Sequence, residues 1–390
     1  MSQPDTISHH FTRSQVLTIV AAIACITLVG IGLSLTTPLI ALLMAAKGYS
    51  ATLIGLNTAV ASVATLFLAP AIPRLAAMMG VGVVLLVALV VGATSLIGFA
   101  LTDSLIAWFV LRFTFGAAIG TLFVLSEFWI NAAAPPTRRG MIMGLYGTAL
   151  SLGFAAGPTI LAIAGGASVN LFFVGAVFFA VAAAPILLAG TGAPALAGES
   201  SRGALAFIFM APVATVAGFA FGSIEQGAFA FLAIYGETTG LSVADAALLL
   251  TWFALGNVLF QAPIGALSDK MNRRLVLLVS ALVSLAGLLA MPIVAGDVFL
   301  MSVAVFVTGG VVGALYTVGL AHLGARFTGA ELANANAAFV MLYSLGMLTG
   351  APAIGVGVDL VPPHGFVWAT ALICGGYALL VMWRMVRDKG

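Results

Sequence analysis

The chain has 390 residues, 62% of them hydrophobic and 7% charged, with a formal net charge of +2. With a mean hydropathy of +1.21, this composition excludes a soluble globular domain and points to an all-α integral membrane protein. So small a net charge implies no nucleic-acid partner.

A span needs about 20 apolar residues to cross roughly 30 Å of hydrocarbon. Breaking the chain at polar, charged and Pro/Gly positions predicts twelve transmembrane helices, at 16–46, 51–73, 80–101, 104–131, 139–165, 168–190, 204–236, 242–267, 273–295, 298–326, 331–358 and 365–385. With the N-terminus inside, Lys47 alone falls outside and Arg112 lies within a span. Of fourteen Lys and Arg, that leaves twelve on the inner side. The positive-inside rule demands this asymmetry. Both termini are therefore expected in the cytoplasm, on a multi-pass protein of a cell membrane, a bacterial inner membrane. The first apolar run is too long for a signal-peptide core. Cys25 and Cys374 fall in spans and read as buried small residues.

Span one carries Gly30, Gly32, Ser34, Thr36, Thr37 and Pro38, a content suited to close packing or a cavity wall. Residues 191–203, rich in Gly, Ala, Pro and Ser, read as a flexible cytoplasmic linker. It divides an N-terminal six-helix half, 1–190, from a C-terminal one, 204–390. The halves repeat: Asp103 to Pro158 resembles Asp297 to Pro352, with Gly116 matching Gly310 and Pro158 matching Pro352. Two parallel halves of several spans each are the signature of a secondary transporter with its site at the repeat interface.

Span eight ends in Gly265-Ala-Leu-Ser-Asp269-Lys270-Met-Asn-Arg273-Arg274. This GxLSDKxxRR pattern resembles the inner-loop signature of the major facilitator superfamily. The equivalent first-half loop keeps Arg74 and lacks the acidic residue. Arg112 in LRFTFGAAIG is similar to the superfamily's span-four arginine motif. Gly153, Gly157 and Pro158 resemble its span-five GxxxGP motif, frequent in antiporters. Glu127-x-Trp129-x-Asn131 with Arg139–Gly140, together with Leu315–Tyr316, resembles the YcaD-like branch. The resemblance implies two six-helix halves and proton-coupled antiport of a small solute by a monomer.

Two of the twelve acidic residues, Glu127 and Glu225, are predicted within spans. An ionised side chain there costs at least about 2.5–3.5 kcal/mol on insertion scales, so it normally faces a partner or a wet cavity. Glu225 lies eleven residues before Gly236, about 16 Å from the outer end. Ser223 and Gln226 beside it and Tyr316 on span ten are further candidates to line a central cavity. Burial disfavours a charged carboxylate and a nearby cation favours it, so a glutamate balanced between the two can load and release a proton. Arg112, about 12 Å deep on the other half, is the candidate counter-charge, although carbonyl groups within its own half would also serve. Glu127 lies about 22 Å along the axis from Arg112 and cannot pair with it in one straight helix. With Asn131, Arg139 and His322 it forms a candidate inner gate.

The sequence has no His/Glu metal spacing, P-loop or nucleophile elbow, so neither an enzyme nor a cofactor-dependent reaction is expected. A channel would need a selectivity element. The expectation is a proton-coupled antiporter of a small organic solute, with a symporter or facilitator for uptake as the alternative.

Overall fold

The structure is a computed structural model and describes residues 13–68, 71–134, 139–189 and 204–387. Fourteen α-helices and no strand occur among these residues. Twelve are long and apolar enough to cross a membrane. In the first half these are α1 (Arg13–Ala46), α2 (Ala51–Leu68), α4 (Val81–Leu101), α5 (Leu105–Ala133), α6 (Arg139–Ile163) and α7 (Asn170–Ala189). In the second half they are α9 (Pro212–Thr238), α10 (Val243–Lys270), α11 (Arg273–Ala290), α12 (Val298–Gly324), α13 (Gly329–Leu360) and α14 (Gly365–Arg387).

Two predicted spans are divided. The second ends with α2, and α3 (Ile72–Met79) is a separate short helix with Pro at its start. The seventh breaks at Ala211, between α8 (Ala204–Met210) and α9. Pro212 has no N–H for a helical bond and its φ suits a first turn, so it is well placed to open α9. The linker expected at 191–203 lies outside the described residues.

Glycine lets helix backbones touch. Gly153 on α6 lies against Thr27 and Gly30 of α1, and Gly157 against Ser34 and Leu35. Ser34 also donates to the Gly153 carbonyl at 3.2 Å. In the second half, Gly222 of α9 lies against Tyr343 of α13, and Gly346 and Gly350 of α13 lie against Phe219 and Ser223. These seams place α1 and α9 at the centre of their halves.

With twelve spans, α1 begins and α14 ends at the same face, the terminal face. The described hydrogen bonds between the halves lie toward the opposite face. Asp359 accepts from the start of α2, and Thr159 of α6 meets Thr251 of α10 at 3.1 Å. Phe154 of α6 and Phe229 of α9 pack across the same region, with ring centroids 5.6 Å apart. Here α1 also meets α9. By contrast, the close neighbours of α5 all belong to the first half and those of α12 to the second. The described hydrogen bonds between the halves thus join the molecule toward the opposite face.

Candidate functional site

Glu225 stands at the centre of α9, thirteen residues after Pro212 and thirteen before Thr238. At 1.5 Å per residue each end is about 20 Å away. Its neighbours Ile224 and Gln226 are buried, whereas Glu225 itself is half-buried. Its Oε2 accepts a hydrogen bond from the Tyr343 hydroxyl at 2.8 Å. Among the described residues it makes no ion pair; those present are Lys47–Asp103 and Asp269–Arg273.

Tyr343 belongs to an aromatic group. It stacks on Phe221 with centroids 5.7 Å apart and meets Tyr316 edge-on at 5.6 Å. Tyr316 in turn contacts Phe221 at 5.4 Å and Phe339 at 5.2 Å. Such contacts hold ring orientation as well as burying area, so the phenol aimed at Glu225 is held by two rings, Phe221 and Tyr316. The sequence offers Tyr316 as a cavity residue, and the tyrosine at the carboxylate is Tyr343. Its partner is 118 residues away and no local spacing marks the pair.

Ser223 does not join the carboxylate. It is fully buried in the seam with α13, and its hydroxyl donates to the Phe219 carbonyl at 2.8 Å. Helical spacing explains this, because Ser223 lies two positions from Glu225 and faces another way.

Arg112 forms a second polar centre, inside the first half. It is 1% exposed, and its Nη2 donates to Thr37 Oγ1 on α1 at 2.9 Å. Its Nε and Nη1 have no partner among the described residues. Gly116 lies against Ala61 and Gly120 against Thr65, so α5 and α2 run in parallel register. One helical turn earlier on each helix, Arg112 is level with Asn57. Asn57 is fully buried, and neither of its amide atoms has a partner among the described residues. The expected pairing of Arg112 with Glu225 is not made in this arrangement.

The candidate inner gate lies at the terminal-face ends of its helices. Glu127 is exposed, six residues before the end of α5. His322, in the last turn of α12, is half-buried with Nε2 enclosed and without a hydrogen-bond partner. The side chains of Asn131 and Arg139 lie outside what the structure describes. In the loop motif, Asp269 accepts from Arg273 at 2.9 Å, joining the end of α10 to the start of α11. Asn272 caps α11 by accepting from Arg274 N at 3.0 Å. Gly265 is half-buried and Lys270 exposed. Gly153, Gly157 and Pro158 all lie on α6, and the two glycines pack on α1 of the same half.

The family model of the Major Facilitator Superfamily matches residues 22–247 and 214–390. The MFS-type transporter YfkF of Bacillus subtilis (strain 168) is 26% identical over 341 residues, covering 85% of this chain and 86% of the relative. An MFS-type transporter of Yersinia enterocolitica is 23% identical over 265 residues, 65% of this chain and 66% of the relative. Among solved structures, the nucleoside transporter NupG superposes with a TM-score of 0.78 at 16% identity, over 97% of this chain and 100% of that one. A bacterial homologue of the human lysosomal transporter Spinster, inward-facing and unoccupied, gives 0.78 at 14% identity over 97% and 99%. Two pseudo-symmetric six-helix halves, their packing and these matches lead to one conclusion: the chain is a membrane transporter, not an enzyme, and belongs to the major facilitator superfamily.

Proposed function

We propose that this transporter moves a small organic solute across a bacterial inner membrane by alternating access, as a proton-coupled antiporter working in efflux, with Glu225 as the coupling carboxylate. The observation that carries this reading is a half-buried glutamate at the middle of the central helix, bonded to a phenol and, among the described residues, to no cation. An intramembrane carboxylate is costly unless it has work to do, and a neutral donor leaves it able to exchange a proton. The terminal face, which carries all described Lys and Arg outside the spans except Lys47, is cytoplasmic in this reading. Residues 191–203 are the cytoplasmic linker between the halves, and the unit is a monomer. The resemblance to the YcaD-like branch is consistent with this assignment and names no solute.

Arg112 acts as counter-charge only in another arrangement, because here its guanidinium is held by Thr37. When the halves rock, Glu225 trades one environment for another, and a change of ten in its proton affinity biases two conformations by about 1.4 kcal/mol. The test is Glu225→Gln in proteoliposomes loaded with a metabolite and drug panel at two pH gradients. The variant is expected to lose gradient-driven accumulation while keeping counterflow exchange. Accumulation with unchanged pH dependence would transfer the role to Glu127 or His322.

A further inference from the structure

The first turn of an α-helix leaves backbone N–H groups without partners inside the helix. In α10 the chain supplies its own cap. Ser242 accepts from Asp245 N at 3.1 Å, and Asp245 brings a carboxylate to the positive end. The corresponding helix of the first half, α2, has no acidic residue in its first turn. Ser50 accepts from Leu53 N through its hydroxyl at 3.3 Å and from Ile54 N through its carbonyl at 3.1 Å. The remaining two donors go to the other half of the molecule. Ala51 N and Thr52 N reach Asp359 Oδ1 and Oδ2 at 2.8 Å each, and the Thr52 hydroxyl adds a bond to Oδ2 at 2.6 Å.

Asp359 is the penultimate residue of α13. A negative charge at the C-terminal end of a helix opposes that helix's own dipole, whereas at the N-terminal end of α2 it is favoured. The carboxylate is therefore poorly placed within its own half and well placed only while the halves touch. Small residues make the reach possible: Gly55 lies against Ala351 and Pro352, and Gly355 against Ala51. At the other corner of the same face Gly166 meets Val243 and Thr159 meets Thr251, with Glu237 lining the cavity beside them.

We infer that Asp359 is a gating residue, capping α2 across the molecule to hold the opposite face shut and releasing it each time that face opens. The inference rests on alternating access and not on proton coupling at Glu225. The test is a pulsed electron-resonance distance measurement in nanodiscs, with labels at the exposed positions Asn170 and Val298, one on each half at the opposite face. The background carries Cys25→Ala and Cys374→Ala. Asp359→Asn is expected to raise the ratio of open to closed molecules about tenfold, which is 1.4 kcal/mol. Thr52→Val, which removes one of the three bonds, should raise it about threefold, less than half of that free energy. The double variant should go no further than Asp359→Asn alone, since both act on one contact. An unchanged distribution in Asp359→Asn, or full additivity of the two, overturns the proposal. Transport assays on Glu225 variants leave this distance measurement untouched, so the two readings fail separately.

Discussion

Tyr343 donates its hydroxyl hydrogen to Glu225 at 2.8 Å, and this bond joins α13 to α9 at mid-membrane. An ionised carboxylate gains more from such a donor than a neutral acid does. Tyr343→Phe keeps the ring in its aromatic group and removes only the donor. It is expected to shift the pH midpoint of transport, with little loss of thermal stability. Measuring uptake across a pH series checks this. An unmoved midpoint would mean that the phenol packs beside Glu225 without tuning it.

The α1–α6 seam predicts a contrast along one helix. A side chain at Gly157 meets Ser34 and the Leu35 backbone, whereas one at Gly147 meets nothing within 4 Å. Gly157→Leu should insert and then lose transport and several degrees of melting temperature, as overpacking a close backbone contact typically costs about 1–3 kcal/mol. Gly147→Leu should melt like the wild type. Equal melting temperatures for the two variants would contradict the seam.

Asn57 is buried with both amide atoms unpartnered, and leaving such a group unsatisfied costs about 1–3 kcal/mol. Asn57→Leu is therefore expected to raise the melting temperature by a few degrees. If Asn57 serves Arg112 in another conformation, the same variant should transport several-fold more slowly. Greater stability with full transport would show Asn57 to be dispensable.

The Asp269–Arg273 pair is exposed and spans one helical turn of sequence, a class of contact worth about 0–1 kcal/mol. It lies wholly in the second half. Asp269→Asn should shift the melting temperature by no more than about 2 °C in this conformation. A larger drop would mean that the loop motif supports more than the pair itself.

The spans were legible because each must bury its backbone in hydrocarbon, which writes length and apolarity directly into sequence. Where proline intervened, as at Pro212, apolarity ran on through a break that only backbone chemistry enforces. The position of Glu225 was equally legible, since a carboxylate in a span is conspicuous. Its bond to Tyr343 was not, because six tyrosines carry the same chemistry and three-dimensional packing selects among them. Asp359, near the end of α13, carries no such signal. Its main partners are backbone N–H groups, which nearly every residue type provides. The signal that could have found it is indirect: α10 opens with Ser242 and Asp245, while α2 opens with Ser50 and no acid.

The glycine seam between α9 and α13 bears on timing. Gly222, Gly346 and Gly350 put the two backbones in contact, so the pair behaves as a single beam that cannot shear without collisions along its length. In the proposed cycle Tyr343 and Glu225 ride on that beam together, and their bond persists whichever face is open. Glu225 therefore cannot register the swing of the halves through its phenol. In that cycle it registers it through what the first half brings to or withdraws from its partly exposed side.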